Sequence, residues 1–250
     1  MTKDVQIIAE MGFNHLGDPD IADEYLNELL KSGVNGITFQ IREPLHKKQK
    51  PHRYLSDENL ILLATKIKKH NKKLGVAIAD INYIPFFEQL EADFYKVIRN
   101  DITNTSLIEK LLELNKKVYV STGMASEDEI VNFINSIMHK CRNFTLVHTQ
   151  LSYPMADCNL KCMNYMKTHG LDVAYGHHCE DPLPIFMSLC YDPSDIFLYI
   201  KGEKNIVYPD NNHAIRIGEI IPLIDQIKKA EKAIGTGVKQ KMINKIKEIK

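Results

Sequence analysis

The chain has 250 residues, with 32 Lys+Arg balancing 32 Asp+Glu, so its formal net charge is zero. A hydrophobic content of 44% and a charged content of 26% exclude a largely disordered chain. The even charge balance, with no concentrated basic face, argues against nucleic-acid binding, and no apolar stretch approaches the ~20 residues of a membrane span.

The N-terminal MTKDVQ runs straight into an apolar segment, so no signal peptide and a cytoplasmic location are expected. Strand Val5–Ala9 leads to a helix over Ile21–Ser32 with Gly33 as its C-cap. Strand Gly36–Gln40 and a proline-containing loop lead to helix Asp57–Lys72, with Ser56 as N-cap. Strand Gly75–Ala79 ends at Asp80, and a short helix near Ile84–Leu90 precedes strand Phe94–Ile98. Helix Ser106–Leu114 precedes strand Lys117–Val120, helix Glu127–His139 precedes strand Phe144–His148, and helix Leu160–His169 precedes strand Asp172–Tyr175. A helix near Pro184–Cys190, strand Ile196–Ile200 and helix Gly218–Ala233 complete the pattern, and Lys-rich residues 238–250 read as a solvated tail or an edge helix.

Eight strands alternating with helices imply parallel pairing and right-handed crossovers. Eight such units in this length make an α/β chain with a single (β/α)8 TIM barrel over residues 1–250. A doubly wound open sheet is the runner-up, but no G-x-G-x-x-G opens a helix. The five cysteines are odd in number and irregularly spaced, so reduced thiols are expected. Cys158-x3-Cys162 lacks the second pair that a zinc site needs.

In such a barrel the carboxyl ends of the strands form one mouth, where chemistry gathers. The tips supply Glu10, Asn14 and His15; Gln40; Asp80; Lys96, Arg99 and Asp101; Ser121 and Thr122; His148; His177 and His178; then Lys201, Glu203 and Asp210. Single members have ordinary explanations: His15 as a helix cap, His148 as a satisfied core histidine, His177-His178 as a surface pair. Their convergence marks a candidate site.

The segment IIAEMGFNHLGD resembles the opening of the sialic acid synthases, the NeuB family. Further matches follow in order: Phe39-Gln40, Leu55–Leu60, Tyr95-Lys96-Val97 through Asn104, the STGM of Ser121–Met124, His148 with Tyr153-Pro154, Tyr175–His178, Pro209-Asp210 with His213-Ala214, and Ala230–Gly235. The resemblance implies a (β/α)8 barrel that condenses phosphoenolpyruvate with an open-chain N-acetylated amino sugar, giving a 2-keto nonulosonic acid and phosphate. By the same resemblance Glu10, Asp101 and His148 are catalytic. Asn14, His15, Gln40, Asp80, Lys96, Arg99, Ser121, Thr122, Tyr153 and Asp210 bind substrate. A divalent metal, Mn2+ or else Mg2+ or Co2+, polarises the sugar aldehyde and is held by His178. Its second histidine has no clean counterpart here: one alignment puts Tyr199 or Ile200 in its place, another Glu203 or Asn205, and Glu203 is chosen as the carboxylate able to ligate manganese. Thr38 replaces a family lysine, and Arg99 replaces a serine. The family's small C-terminal antifreeze-like domain has no counterpart in the sequence, so a homodimer or a separate partner chain is expected to replace it. The same barrel also suits aldolase-type chemistry, or a non-catalytic relative that binds a sugar or a partner protein.

Overall fold

The computed structural model describes residues 4–98, 101–138 and 143–239, with Asp101 through its main chain only. Eight parallel strands follow one another in sequence order: β1 (Gln6–Glu10), β2 (Gly36–Ile41), β3 (Lys73–Ile78), β4 (Phe94–Val97), β5 (Lys117–Ser121), β6 (Phe144–His148), β7 (Asp172–Gly176) and β8 (Asp195–Lys201). β1 also pairs with β8 from Gln6↔Asp195 to Glu10↔Tyr199, which closes the sheet into a barrel. A two-residue strand, β9 (Ile215–Arg216), extends the end of β8.

Among the described residues the connecting helices are α1 (Pro19–Lys31), α2 (Pro44–Gln49), α3 (Asp57–Lys69), α4 (Ile84–Gln89), α5 (Thr105–Leu112), α6 (Glu127–Ile137), α7 (Cys162–Lys167), α8 (Leu183–Ser188) and α9 (Ile220–Ile234). Caps fix several starts. Asp18 accepts from the amides of Asp20 and Ile21, Ser56 from Asn59, and Asn104 from Leu107, while Ser126 and Glu129 form a reciprocal capping box. Two expectations shift. α1 begins at Pro19 because Asp18 caps it, and its C-cap is Ser32, in extended backbone, rather than Gly33. α2 is an additional short helix in the loop expected after β2. Cys158, Cys162, Cys179 and Cys190 carry free thiols, whereas Cys141 and the tail from residue 240 lie outside the described residues. No helix among the described residues is long and apolar enough to cross a membrane.

One apolar layer lies between the strands and the helices, with Tyr25, Leu26, Leu29, Ile67, Ile108, Leu111, Ile137 and Ile227 at most 1% exposed. The other fills the barrel itself as a disc of Ile8, Phe94, Tyr119, Val147, Ala174 and Phe197. Phe94 has room because β2 and β3 present Gly36 and Gly75, and a Cβ on Gly75 would overlap its ring. Tyr119 meets Phe94 and Phe197 edge to face at 5.5 and 4.9 Å. At the amino end of the strands Asp195, 2% exposed, accepts from the Tyr119 hydroxyl at 2.6 Å and pairs with Lys117 at 2.8 Å. Asp195→Ala leaves the Tyr119 hydroxyl buried without its acceptor, an expected loss of about 1–3 kcal/mol. Asp195→Asn, which keeps an acceptor, should lose less. Urea midpoints of the two variants check this, and equal losses would contradict it.

Candidate active site

Side chains alternate along a strand, so one step of two residues above the apolar disc decides what faces the mouth. Glu10 stands two residues beyond Ile8, Lys96 beyond Phe94, Ser121 beyond Tyr119, and Tyr199 beyond Phe197. Above them is a cavity of about 360 Å³. Of the residues expected at the site, Gln40, Lys96, Ser121, Tyr153, His178 and Asp210 line it.

The turn after β1 sets the mouth. Gly12 adopts φ +54°, and a Cβ there would lie 2.7 Å from Asp210 Oδ2 and 3.1 Å from the Tyr199 ring. Asn14, fully buried, joins three segments. Its Nδ2 donates to the Ile200 carbonyl at 2.6 Å, its Oδ1 accepts from the Asp210 amide at 3.0 Å, and its own carbonyl accepts from the Tyr25 hydroxyl at 3.1 Å. Asn14 therefore places the loop that carries Asp210 and does not line the cavity itself.

The charged centre of the floor is an ion pair. Lys96 Nζ lies 2.6 Å from Glu10 Oε2, with the two side chains 3% and 2% exposed. The ammonium also sits 4.4 Å from the Phe197 ring centre and 5.8 Å from that of Tyr199. Glu10 Oε1 and the hydroxyl of Thr38, its cross-strand neighbour, are buried with no hydrogen-bond partner among the described residues. Lys96 lines the cavity, so an ammonium N–H not used by Glu10 is open to a ligand.

The opposite wall is a row of rings. His178 stacks on His213 with ring centres 4.3 Å apart and planes 26° apart, and Tyr153 also stacks with His213 at 5.9 Å and 16°. Tyr199 meets His178 and His213 edge-on at 5.4 and 5.0 Å. Nδ1 of His178 is 2.9 Å from the Thr149 hydroxyl. Burial, reinforced by His213, Lys96 and His177 nearby, holds the His178 imidazole well below its usual pKa. Burial first, then His177, Lys96 and Lys201, brings His213 down to about 3. Both rings are therefore neutral near pH 7.

Other expected site residues are placed elsewhere. His148 faces away from the cavity, and its Nε2 is 2.9 Å from the Cys158 carbonyl, where it holds the loop after β6. His148, expected to be catalytic, does not line the cavity: Val147 and Thr149 take the inward positions on either side of it. His15 is buried in the β1 turn with Nδ1 accepting from the Gly17 amide at 3.0 Å, and burial lowers its pKa to about 4. Asp80 caps the turn after β3 through Asn82, and the Thr122 hydroxyl donates to the Val147 carbonyl at 3.0 Å. Neither lines the cavity. Arg99 and the side chain of Asp101 lie outside the described residues.

The expected metal pair does not form. Glu203 is on the exterior, its side chain 55% exposed, accepting from the Gly218 amide at 2.7 Å and facing Arg216. Among the described residues no three His, Cys, Asp or Glu side chains converge as a metal centre requires. Among the described residues His178 and Glu203 therefore do not make the expected ligand pair.

Sequence reasoning gave no site role to Ile98, Met124, Leu151, Pro209 and His213, and weighed Tyr199 only as one alignment's counterpart of the second metal histidine; these six complete the lining. Met124, Pro209 and His213 stood within quoted motifs, and those motifs were the signal that would have found them.

A sequence profile of the NeuB family matches residues 29–239. The chain is 28% identical over 266 residues to the N,N'-diacetyllegionaminic acid synthase of Campylobacter jejuni, covering 95% of this chain and 80% of that one. It is 24% identical to the pseudaminic acid synthase of Helicobacter pylori, covering 94% and 77%. The fold is similar to the crystal structure of N-acetylneuraminic acid (sialic acid) synthetase from Leptospira borgpetersenii in complex with citrate. That match has a TM-score of 0.88 and 22% identity and covers 99% and 91% of the two chains.

Proposed function

Because this chain belongs to the NeuB family, we propose that it condenses phosphoenolpyruvate with an open-chain N-acetylated amino sugar. The observation that carries the reading is the cavity floor, where Lys96 and Ser121 come from neighbouring strands and face the same space. The Lys96 ammonium and the Ser121 hydroxyl bind the anionic oxygens of phosphoenolpyruvate. Gln40 and Asp210, on other sides of the cavity, hold hydroxyl groups of the sugar. The enol carbon attacks the aldehyde carbon, the aldehyde oxygen takes up a proton, water adds at the phosphate-bearing carbon, and phosphate leaves to give the 2-keto acid. The floor charge suits this, since Glu10 offsets Lys96 until a ligand brings its own negative charge. Related proteins named as legionaminic and pseudaminic acid synthases support the reaction class.

Incubation with phosphoenolpyruvate and a panel of N-acetylated hexoses should release phosphate and 2-keto acid in equal amounts. Pyruvate formed from an added nonulosonic acid would favour the aldolase reading. Tight binding of sugar without any turnover would favour the binding-protein reading.

A further inference from the structure

Three aliphatic side chains at the cavity belong to neither packed apolar layer of the barrel. Ile98, Met124 and Leu151 line the cavity, yet none joins the core between strands and helices or the disc inside the barrel. They follow the ends of β4, β5 and β6, three strands that pair in succession, so they form one arc of the mouth. Leu151 is tied to the loop after β5. Its amide donates to the Gly123 carbonyl at 3.3 Å, and a Cβ on Gly123 would lie 2.9 Å from Leu151 Cγ. Ile98 is 3% exposed, Leu151 37% and Met124 63%, so the arc reaches from the buried floor to solvent. Pro209 aside, the rest of the lining is polar or aromatic.

The chemistry of that arc selects one part of the acceptor. Lys96 and Ser121, on β4 and β5 themselves, already offer a charge and a hydroxyl to the anion. Gln40 on β2 and Asp210 after β8 lie across the closed barrel from β5 and suit sugar hydroxyls. A hydroxyl laid against an aliphatic surface loses hydration and gains no hydrogen bond. On an open-chain amino sugar the apolar part is the alkyl end of the N-acyl group. We infer that Ile98, Met124 and Leu151 form a wall that binds this alkyl end and selects alkyl over hydroxylated acyl chains. Because the arc continues to solvent at Met124, it does not stop a chain longer than acetyl. This rests on the phosphoenolpyruvate-dependent reading given above.

N-propanoylmannosamine and N-glycolylmannosamine differ by a methyl against a hydroxyl at one position. With phosphoenolpyruvate as co-substrate, kcat/KM of the wild type should favour the propanoyl sugar by about threefold to tenfold. The double variant Met124→Gln/Leu151→Asn makes the arc polar with little change of shape and should level or reverse that order, whereas Met124→Leu should keep it. Both residues are exposed, so Tm and calorimetric affinity for phosphoenolpyruvate should stay near wild type in the double variant. A wild type that does not favour the propanoyl sugar would overturn the assignment, as would a double variant that keeps the preference. Parallel losses of Tm and phosphoenolpyruvate affinity would also overturn it, by making the two side chains packing elements. So would a changed oligomeric state with the acyl preference intact, which would make the arc an interface with another chain. If the wild type releases no phosphate with any sugar, the reaction assigned above fails, and saturation-transfer NMR decides this inference alone. The alkyl protons of N-propanoylmannosamine should then receive the most saturation and lose it in the double variant. Strongest saturation on the polyol protons, or none on the sugar, would overturn the wall.

Discussion

Lys96→Met is expected to lose both phosphoenolpyruvate binding and stability, and the double variant Glu10→Gln/Lys96→Met only the binding. The pair is 3% and 2% exposed and closes at 2.6 Å, so removing the ammonium alone strands a carboxylate in the barrel. Breaking a buried pair in this way costs about 3–5 kcal/mol, whereas replacing both partners with neutral groups of similar size is often close to neutral. Glu10 Oε1 already lacks a partner among the described residues, so no second donor waits to rescue it. Binding of phosphoenolpyruvate should weaken about tenfold to a hundredfold in both variants, because the cation is gone from both. Chemical denaturation and calorimetry separate the two effects. Unchanged phosphoenolpyruvate affinity in the double variant would assign Lys96 to structure alone.

Stability should fall steeply as the pH drops below 6.5. Burial lowers His15 and His177 to about 4 and His213 to about 3, and it lowers His148 and His178 as well. In the unfolded chain each of these rings titrates near 6.5, so below that pH the unfolded state binds more protons than the folded one. The stability from each neutral ring is fully present above 6.5, declines as the pH falls, and is lost by the time the folded pKa is passed. Each ring contributes a slope of roughly 1.4 kcal/mol per pH unit within that window. Urea midpoints at several pH values between the two limits measure the combined slope, and His15→Asn and His177→Asn should each reduce it by about one proton. A flat profile over that range would contradict the buried neutral state.

The barrel was legible because eight apolar runs each end in polar residues and alternate with helical periodicity. Helix starts followed from caps such as Ser56, whose hydroxyl accepts from the Asn59 amide as that reading requires. What could not be read was which way a strand residue faces. β6, Phe-Thr-Leu-Val-His, is buried at every position, as parallel strands covered on both sides are, so it carries no alternation to show that His148 looks outward. Glu203 was reached by aligning text beyond the end of β8, where no strand register constrains the choice. The Lys96–Glu10 pair joins residues 86 positions apart on β4 and β1, which are not neighbours in the sheet, so no local pattern announces it. His213 sits in a turn without periodicity, and its importance comes from the rings around it.

The apolar disc of Phe94, Tyr119 and Phe197 with its aliphatic neighbours fills the barrel beneath the cavity floor. Lys96 rests directly above that stopper, while Tyr153 stands at the rim with 42% of its surface in solvent. On the proposed reaction, whatever binds the ammonium must go in before the sugar fills the space above it, and the queue reverses on the way out. On that reading kinetic order is a matter of depth, written into the barrel by the plug beneath its floor.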